Sequence, residues 1–341
     1  MASIGPGSPL PSILLEIQYA YEVGITEIIL QSPIPWTPEQ QSRLAEAIEG
    51  LKGPGSDITI SIALDCNPPQ SWLRDNPDEA STSKVDGVTY PSIGSIKWKD
   101  ETQSRTKVLL TTLDSDIRSG RVTGVILQGL ENGQWIRSGA YDSSPAHRAS
   151  FRQWVTSRYS DIETLKSAWN DPSLGSLESI SLPDFAEPES PQELFLSIET
   201  EQSKIDYNLF LSEHTVAFIV DLATAIRAQT NPEFSIFAAY PNLLEHTGTA
   251  AGSWGIRELQ AGPVDGMVTQ LHSRHRQVGQ HGYFALPIFS ASQTLSLDAT
   301  YTGIGYDSNA RVINIPGTFI PNHIFNLVAR NAVITTLSGT T

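Results

Sequence analysis

Two side chains three positions apart, Glu131 and Gln134, give the stretch Val122–Trp135 (VTGVILQGLENGQW) its chemical interest. A carboxylate on a short polar loop can serve as general acid, general base or nucleophile. Its neutral amide analogue can hold a hydrogen bond to an oxygen but cannot deliver a proton to it. Whichever of the two occupies the reacting position decides whether the loop is catalytic. Glu131 reads either as the acid/base or as a loop carboxylate that caps the chain or binds a ligand. A second acidic candidate is Asp307, at the end of the extended run Thr300–Tyr306. Asp65, at another strand tip, reads more readily as a turn residue.

Trp36, Trp72, Trp98 and Trp135 fall on or beside predicted strand-to-helix loops. Aromatic faces stack on sugar rings, because ring C–H bonds meet the π cloud while the rim hydroxyls take polar partners. The alternative is that each ring plugs the top of a helix. As a cluster the four favour a carbohydrate site more than any one does. Asn67, delivered by the run Asp57–Leu64, is a further candidate for binding the ligand, and Tyr240 and Asn242 follow a predicted strand and suit the rim of such a site. His272, with His275 and His281 beside Arg274 and Arg276, matches no metal-ligand spacing and reads as a solvated loop or as contacts to sugar hydroxyls. No metal site and no cofactor are expected.

These residues need a scaffold that brings loops together. Val122–Leu127 is a short, mostly apolar run closed by Gly129 and Gly133, the pattern of a buried parallel strand ending in a tight loop. Similar runs occur at Thr26–Gln31, Asp57–Leu64, Phe234–Ala239 and Val264–Thr269, with Tyr283–Phe289 and Thr300–Tyr306 as further extended segments. Helical spacing marks Pro11–Val23, a helix from Thr37-Pro38 to about Leu51, Lys99–Ser119, a helix opened by Ser144-Pro145, a long one at about Glu193–Gln229, and Pro321–Thr335. Polar stretches at 66–98 and 171–191 read as long loops. Alternating strands and helices imply a parallel sheet with right-handed crossovers, so the expected architecture is a single α/β domain over residues 1–341, a TIM (β/α)8-type barrel. In such a barrel the interior is filled and chemistry sits on the loops at the strand C-termini.

With 341 residues, 39% of them hydrophobic, and seven Trp, the chain can fill one large core. A formal charge of -15 argues against nucleic acid or an anionic membrane as partner, since both call for a basic face. The one cysteine, Cys66, excludes an intrachain disulfide. No membrane-spanning run and no signal peptide are visible; an excised domain of a secreted or cell-surface protein would read the same way.

Several phrases in consistent order resemble glycoside hydrolases of clan A, nearest to family 42 β-galactosidases and family-42-like relatives. They are NPPQSWL at Asn67–Leu73, YPSIGSIKW at Tyr90–Trp98, and YDSSPAHRASFRQWVTSRYSDIETLKSAWND at Tyr141–Asp171. DYNLFLSE at Asp206–Glu213 and VDGMVTQLHSRHRQVGQHGYF at Val264–Phe284 continue the series. The resemblance implies a β-galactoside-like oligo- or polysaccharide ligand and a retaining mechanism, with a Glu after strand four as acid/base and a Glu after strand seven as nucleophile, the two carboxyls about 5–5.5 Å apart. The relatives' Gly-Glu-Trp falls on Gly133-Gln134-Trp135, and their nucleophile phrase on Gly305-Tyr306-Asp307, with no carboxylate at Gly305. Both catalytic positions are altered, which favours a glycan-binding pseudoenzyme; the alternative is an active β-glycosidase using Glu131. No first strand is evident before Pro11–Val23 and no eighth after Thr336. The barrel is therefore expected to be incomplete at strands one and eight, with its edge covered by self-association or flanking sequence.

Overall fold

The structure, a computed structural model, describes residues 2–3, 10–22, 24, 26–50, 57–82, 87–131, 133–136, 142–183, 196–240 and 255–268, with four short strands between 288 and 314. In chain order the first elements are β1 (Ala2–Ser3), α1 (Leu10–Glu22), β2 (Glu27–Pro33), α2 (Pro38–Gly50), β3 (Thr59–Asp65) and α3 (Gln70–Asp75). Then come β4 (Ala80–Thr82), β5 (Thr89–Pro91), α4 (Ile96–Arg118), β6 (Val122–Gln128), α5 (Pro145–Arg158), α6 (Ile162–Trp169) and α7 (Gln202–Arg227). The last are β7 (Ser235–Ala239), α8 (Ile256–Ala261), β8 (Gly266–Val268), β9 (Ile288–Ser290), β10 (Gln293–Leu295), β11 (Gly305–Asp307) and β12 (Val312–Asn314).

One sheet runs β1-β2-β3-β6-β7-β8-β9-β10, parallel from β1 to β8 and antiparallel at its last two pairings. Strands in chain order, with helices between the parallel neighbours, make this the (β/α) barrel type of fold. Alternation along the strands explains the layering. Leu30, Ile60, Ile62, Leu64, Leu127, Ile236 and Ala238 are completely excluded from solvent. Ser61 and Ala63, on the other face of β3, stand opposite Gly124 and Ile126. A Cβ at Gly124 would come within 2.6 Å of the Ser235 carbonyl, so only glycine lets β6 and β7 approach this closely.

Local signals account for the helix starts. Ser144 Oγ accepts the His147 N–H at 3.2 Å, with Pro145 in the first turn. Asp161 accepts the Thr164 N–H at 2.7 Å, and α6 ends on left-handed Asn170.

Four expectations need correction. The edge of β2 that was expected to lie open is paired by β1, with Ala2 opposite Leu30 and Ser3 opposite Gln31. A two-residue strand carries no periodicity, so nothing in its pattern announces it. The loop 66–98 holds α3, a 3₁₀ turn at Pro77–Glu79 and the β4–β5 hairpin. Strand β11, expected within the barrel sheet, instead pairs antiparallel with β12. The long helix begins at Gln202, well after Glu193. The expected helix Pro321–Thr335 lies outside the described residues. α7 is the one helix among the described residues long and apolar enough to cross a bilayer, and more than half of that apolar stretch is buried in the protein.

The phrase FRQWV…RY…LKSAWN builds a clamp. Asp206 on α7 is buried and accepts hydrogen bonds from the Tyr159 hydroxyl, from Trp169 Nε1 at 2.8 Å and from Gln202 Nε2 at 2.9 Å. Phe151 stacks beside both Trp154 and Trp169. Asp206→Ala would strand several donors in a dry site, so it should cost about 3 kcal/mol or more. The exposed pair Arg118–Asp114 should matter by no more than about 0.5 kcal/mol when broken. Thermal melts of Asp206→Ala and Arg118→Ala should therefore show a large fall in Tm for the first and almost none for the second.

Candidate functional site

Strands β3 and β6 are direct neighbours, with Asp65 in register with Gln128 at their C-terminal ends, so the loops that follow them adjoin. The β6 loop is stapled by its own backbone. Gly129 N–H donates to Gly133 O at 3.3 Å, Gln134 N–H to Glu131 O at 3.0 Å, Trp135 N–H to Gly129 O at 2.7 Å, and Glu131 N–H to Ile136 O at 3.1 Å. To close on itself so tightly the chain passes through left-handed backbone at Leu130 (φ 56°), Gly133 (φ 71°) and Trp135 (φ 59°). Left-handed Leu and Trp are uncommon, and such strain persists only where surrounding contacts over-determine it.

Those contacts come from two sides. The indole of Trp135 lies on Gly129, where a Cβ would sit 2.7 Å from the ring, and its Nε1 donates to Leu127 O at 3.0 Å. The ring is fully buried 6.2 Å from Trp98 and 5.3 Å, edge-on, from Phe218 of α7. Trp98 in turn donates to Cys66 O at 3.0 Å. From the loop after β3, the Asn67 side chain accepts the Leu130 N–H at 2.9 Å and donates to Leu130 O at 3.0 Å.

The predicted residues therefore separate into groups. Asn67, Glu131 and Gln134 come together, with Glu131 and Gln134 only 6% and 7% exposed. Trp98 and Trp135 are corrected: both are enclosed between the strand ends and α7, so neither offers a face to a ligand. Trp36 and Trp72 pair with each other at 6.0 Å, mostly buried. Arg105 lies 4.3 Å over Trp36, and Trp72 Nε1 donates to Glu101 at 3.1 Å, which ties this pair to α4. Tyr240 is likewise no rim contact, because it is fully buried with its hydroxyl accepting the Gly255 N–H at 3.1 Å. Asn242 and His272 lie outside the described residues, and Asp307 is described only as part of β11.

A buried polar array between the start of α5 and α7 carried no earlier expectation. His147 Nδ1 lies 3.3 Å from Asp142 Oδ2, and its Nε2 lies 2.7 Å from the Tyr207 hydroxyl. Asp142 also accepts the Ser144 N–H at 3.0 Å, fixing the entry to α5. The cue was Asp-x-Ser-Pro-x-His, a capped helix start carrying a histidine in its first turn. Among the described residues no group of three or more His, Cys, Asp or Glu side chains could hold a metal ion.

Asp65, read from sequence as a turn residue, accepts the Asn67 N–H at 3.0 Å. Burial pushes its carboxyl from 3.8 up to about 6, and the hydrogen bonds from Asn67 offset only part of that. A carboxyl raised in this way binds its proton more tightly in the folded chain than in the unfolded one. Stability therefore falls as pH rises from roughly 4 through 6, by an amount on the order of 3 kcal/mol. Asp65→Asn keeps an oxygen for the Asn67 N–H and has no charge to desolvate. Urea midpoints from pH 4 to 8 should show this variant gaining on the wild type as pH rises and converging with it near pH 4; a gap that widens toward low pH would contradict the assignment.

The fold recurs in solved structures. The chain superposes on the β-galactosidase of the psychrophilic Marinomonas ef1 with a TM-score of 0.56 and 16% identity, over 88% of this chain and 43% of that one. For the polyextremophilic β-galactosidase of the Antarctic haloarchaeon Halorubrum lacusprofundi the values are 0.56 and 16%, over 82% and 42%. For the catalytic domain of β-amylase from Paenibacillus polymyxa they are 0.59 and 15%, over 85% and 79%. The chain thus spans less than half the length of the two β-galactosidases. A comparison with curated proteins finds no match. The family model described as glycoside hydrolase 42, β-galactosidase, matches residues 42–251, more than half of the chain, and takes in β3, β6, β7 and the stapled loop. This chain belongs to glycoside hydrolase family 42.

Proposed function

We propose that the chain is a carbohydrate-binding barrel of this family, directed at β-galactoside-like oligo- or polysaccharides and impaired in hydrolysis. The domain is taken as residues 1–341, with the ligand at the strand C-termini. The observation that carries the reading is the residue between left-handed Gly133 and the buried Trp135. It is Gln134, on the loop after β6, onto which the sequence resemblance places the glutamate of Gly-Glu-Trp. An amide there can accept and donate hydrogen bonds to a sugar oxygen but has no proton to give a leaving group. Supporting this, the phrase that would supply the nucleophile has Gly305 where a carboxylate is needed.

A second reading has one observation in its favour. Glu131 is a buried carboxylate in the same loop, its carbonyl accepting the Gln134 N–H, so a relocated acid/base is chemically available. It needs a second carboxylate, for which Asp307 is the candidate.

Turnover of an aryl β-galactoside separates the two. On the first reading wild-type turnover is near background, and Gln134→Glu alone does not restore it, because acid and nucleophile act as a unit. Calorimetry should still detect saturable binding of methyl β-D-galactopyranoside. Robust wild-type hydrolysis abolished by Glu131→Gln would establish the second reading.

A further inference from the structure

We infer that Asn67, just past the end of the neighbouring strand β3, is the positioning residue of the carbohydrate site, setting the backbone of Leu130 and with it the placing of Glu131, Gln134 and Trp135. The inference rests on the reading that Glu131 and Gln134 face the ligand. Asn67 uses both ends of its amide on one residue: Oδ1 receives the Leu130 N–H at 2.9 Å and Nδ2 donates to Leu130 O at 3.0 Å. Leu130 is the residue at which the chain turns into left-handed backbone, immediately before Glu131. Its side chain is 3% exposed, so leucine is held there for packing while its backbone adopts a conformation that glycine would take without strain. A bidentate amide specifies the orientation of one peptide segment, which a single hydrogen bond does not. Asn67 is itself held, because its N–H donates to Asp65 Oδ1 at 3.0 Å and the adjoining Cys66 N–H donates to Gln128 O at 2.8 Å. The line of force runs from the β3–β6 ladder through Asn67 to Leu130, and from there to the two side chains that meet the sugar.

Hydrogen exchange followed by NMR reads this directly in the whole chain. In Asn67→Ala the amides of Leu130, Gln134 and Trp135 should exchange at least about tenfold faster, while Ile60, whose N–H donates to Arg121 O at the far end of the ladder, stays unchanged. Adding Leu130→Gly removes the backbone strain that Asn67 offsets. The double variant should regain protection at Gln134 and Trp135 although its Tm is lower, since a buried leucine side chain is gone. Loss of general stability alone would move all these amides together and could not be reversed by a second destabilising change. Asn67→Asp, which keeps the acceptor for Leu130 N–H and loses the donor to Leu130 O, should fall between the wild type and Asn67→Ala, and serves if the alanine variant does not fold. Unchanged loop amides in Asn67→Ala, or a double variant whose loop opens further, would overturn the inference.

Calorimetry with methyl β-D-galactopyranoside gives the functional counterpart: about tenfold weaker binding in Asn67→Ala and recovery in the double variant, from restored pre-organisation. A wild-type chain that does not bind this sugar would overturn the proposed function, while the exchange experiment would still decide the role of Asn67.

Discussion

The parallel pairing of β3 with β6 brings Asp65 level with Gln128, and almost everything at the mouth of the barrel follows from that register. It sets Asn67 within reach of Leu130, and it lets the Trp98 indole, rooted in the first turn of α4, bond the Cys66 carbonyl and meet Trp135 from the β6 loop. A slip by one residue would turn Leu64 and Leu127 toward the wrong layer and carry Asn67 away from its partner, so the apolar alternation of the two strands fixes the site as well as the core. Phe218 of α7 touches both indoles edge-on, which couples the loop to the helix that also carries Tyr207 and Phe210.

The β6 loop holds strain against that anchorage. Leu130 and Trp135 each occupy left-handed backbone, at a cost on the order of 1–3 kcal/mol apiece. Against this stand backbone bonds within the loop, the paired bonds from Asn67, and the burial of a complete indole, each hydrogen bond contributing about 1 kcal/mol net. The terms are of similar size, so the loop holds its shape only while both Asn67 and the aromatic trio remain in place.

Much of this was legible in the residues, and the exceptions share a cause. The strands Thr59–Asp65 and Val122–Gln128, the Ser144 cap and the adjoining loops of Asn67 and Glu131 follow from short apolar runs, cap residues and the rule that consecutive parallel strands are neighbours. What was not legible depends on direction or on partners far along the chain. A tryptophan on a loop gives no sign of which way its ring turns, and Trp98 and Trp135 turned inward because the strand-end carbonyls of Cys66 and Leu127 accept their N–H groups there. The gathering of Tyr159, Trp169 and Gln202 on Asp206 spans separate helices, so the phrase FRQWV…RY…LKSAWN proved to be scaffold. Strand β1 is too short to carry a pattern, and its pairing with β2 joins segments far apart in pattern as well as in chain, Ala2 with Leu30 and Ser3 with Gln31.

That division bears on how family membership relates to activity. The bonds that shape the β6 loop are backbone bonds and the contacts of Asn67 and Trp135; position 134 enters them through its N–H to Glu131 O. A glutamate and a glutamine are nearly the same shape, so either fits the loop without repacking, and what separates them there is the cost of taking a carboxylate out of water, the same cost that raises the Asp65 carboxyl. The stretch that matches the family, residues 42–251, takes in the Asp206 clamp and the capped helices as well as the β6 loop, and the clamp and caps carry no chemistry on a sugar. A chain with the fold of the family can therefore hold either an acid or an amide on this loop, and whether it has a proton to deliver to a glycosidic oxygen turns on that side chain and not on the scaffold.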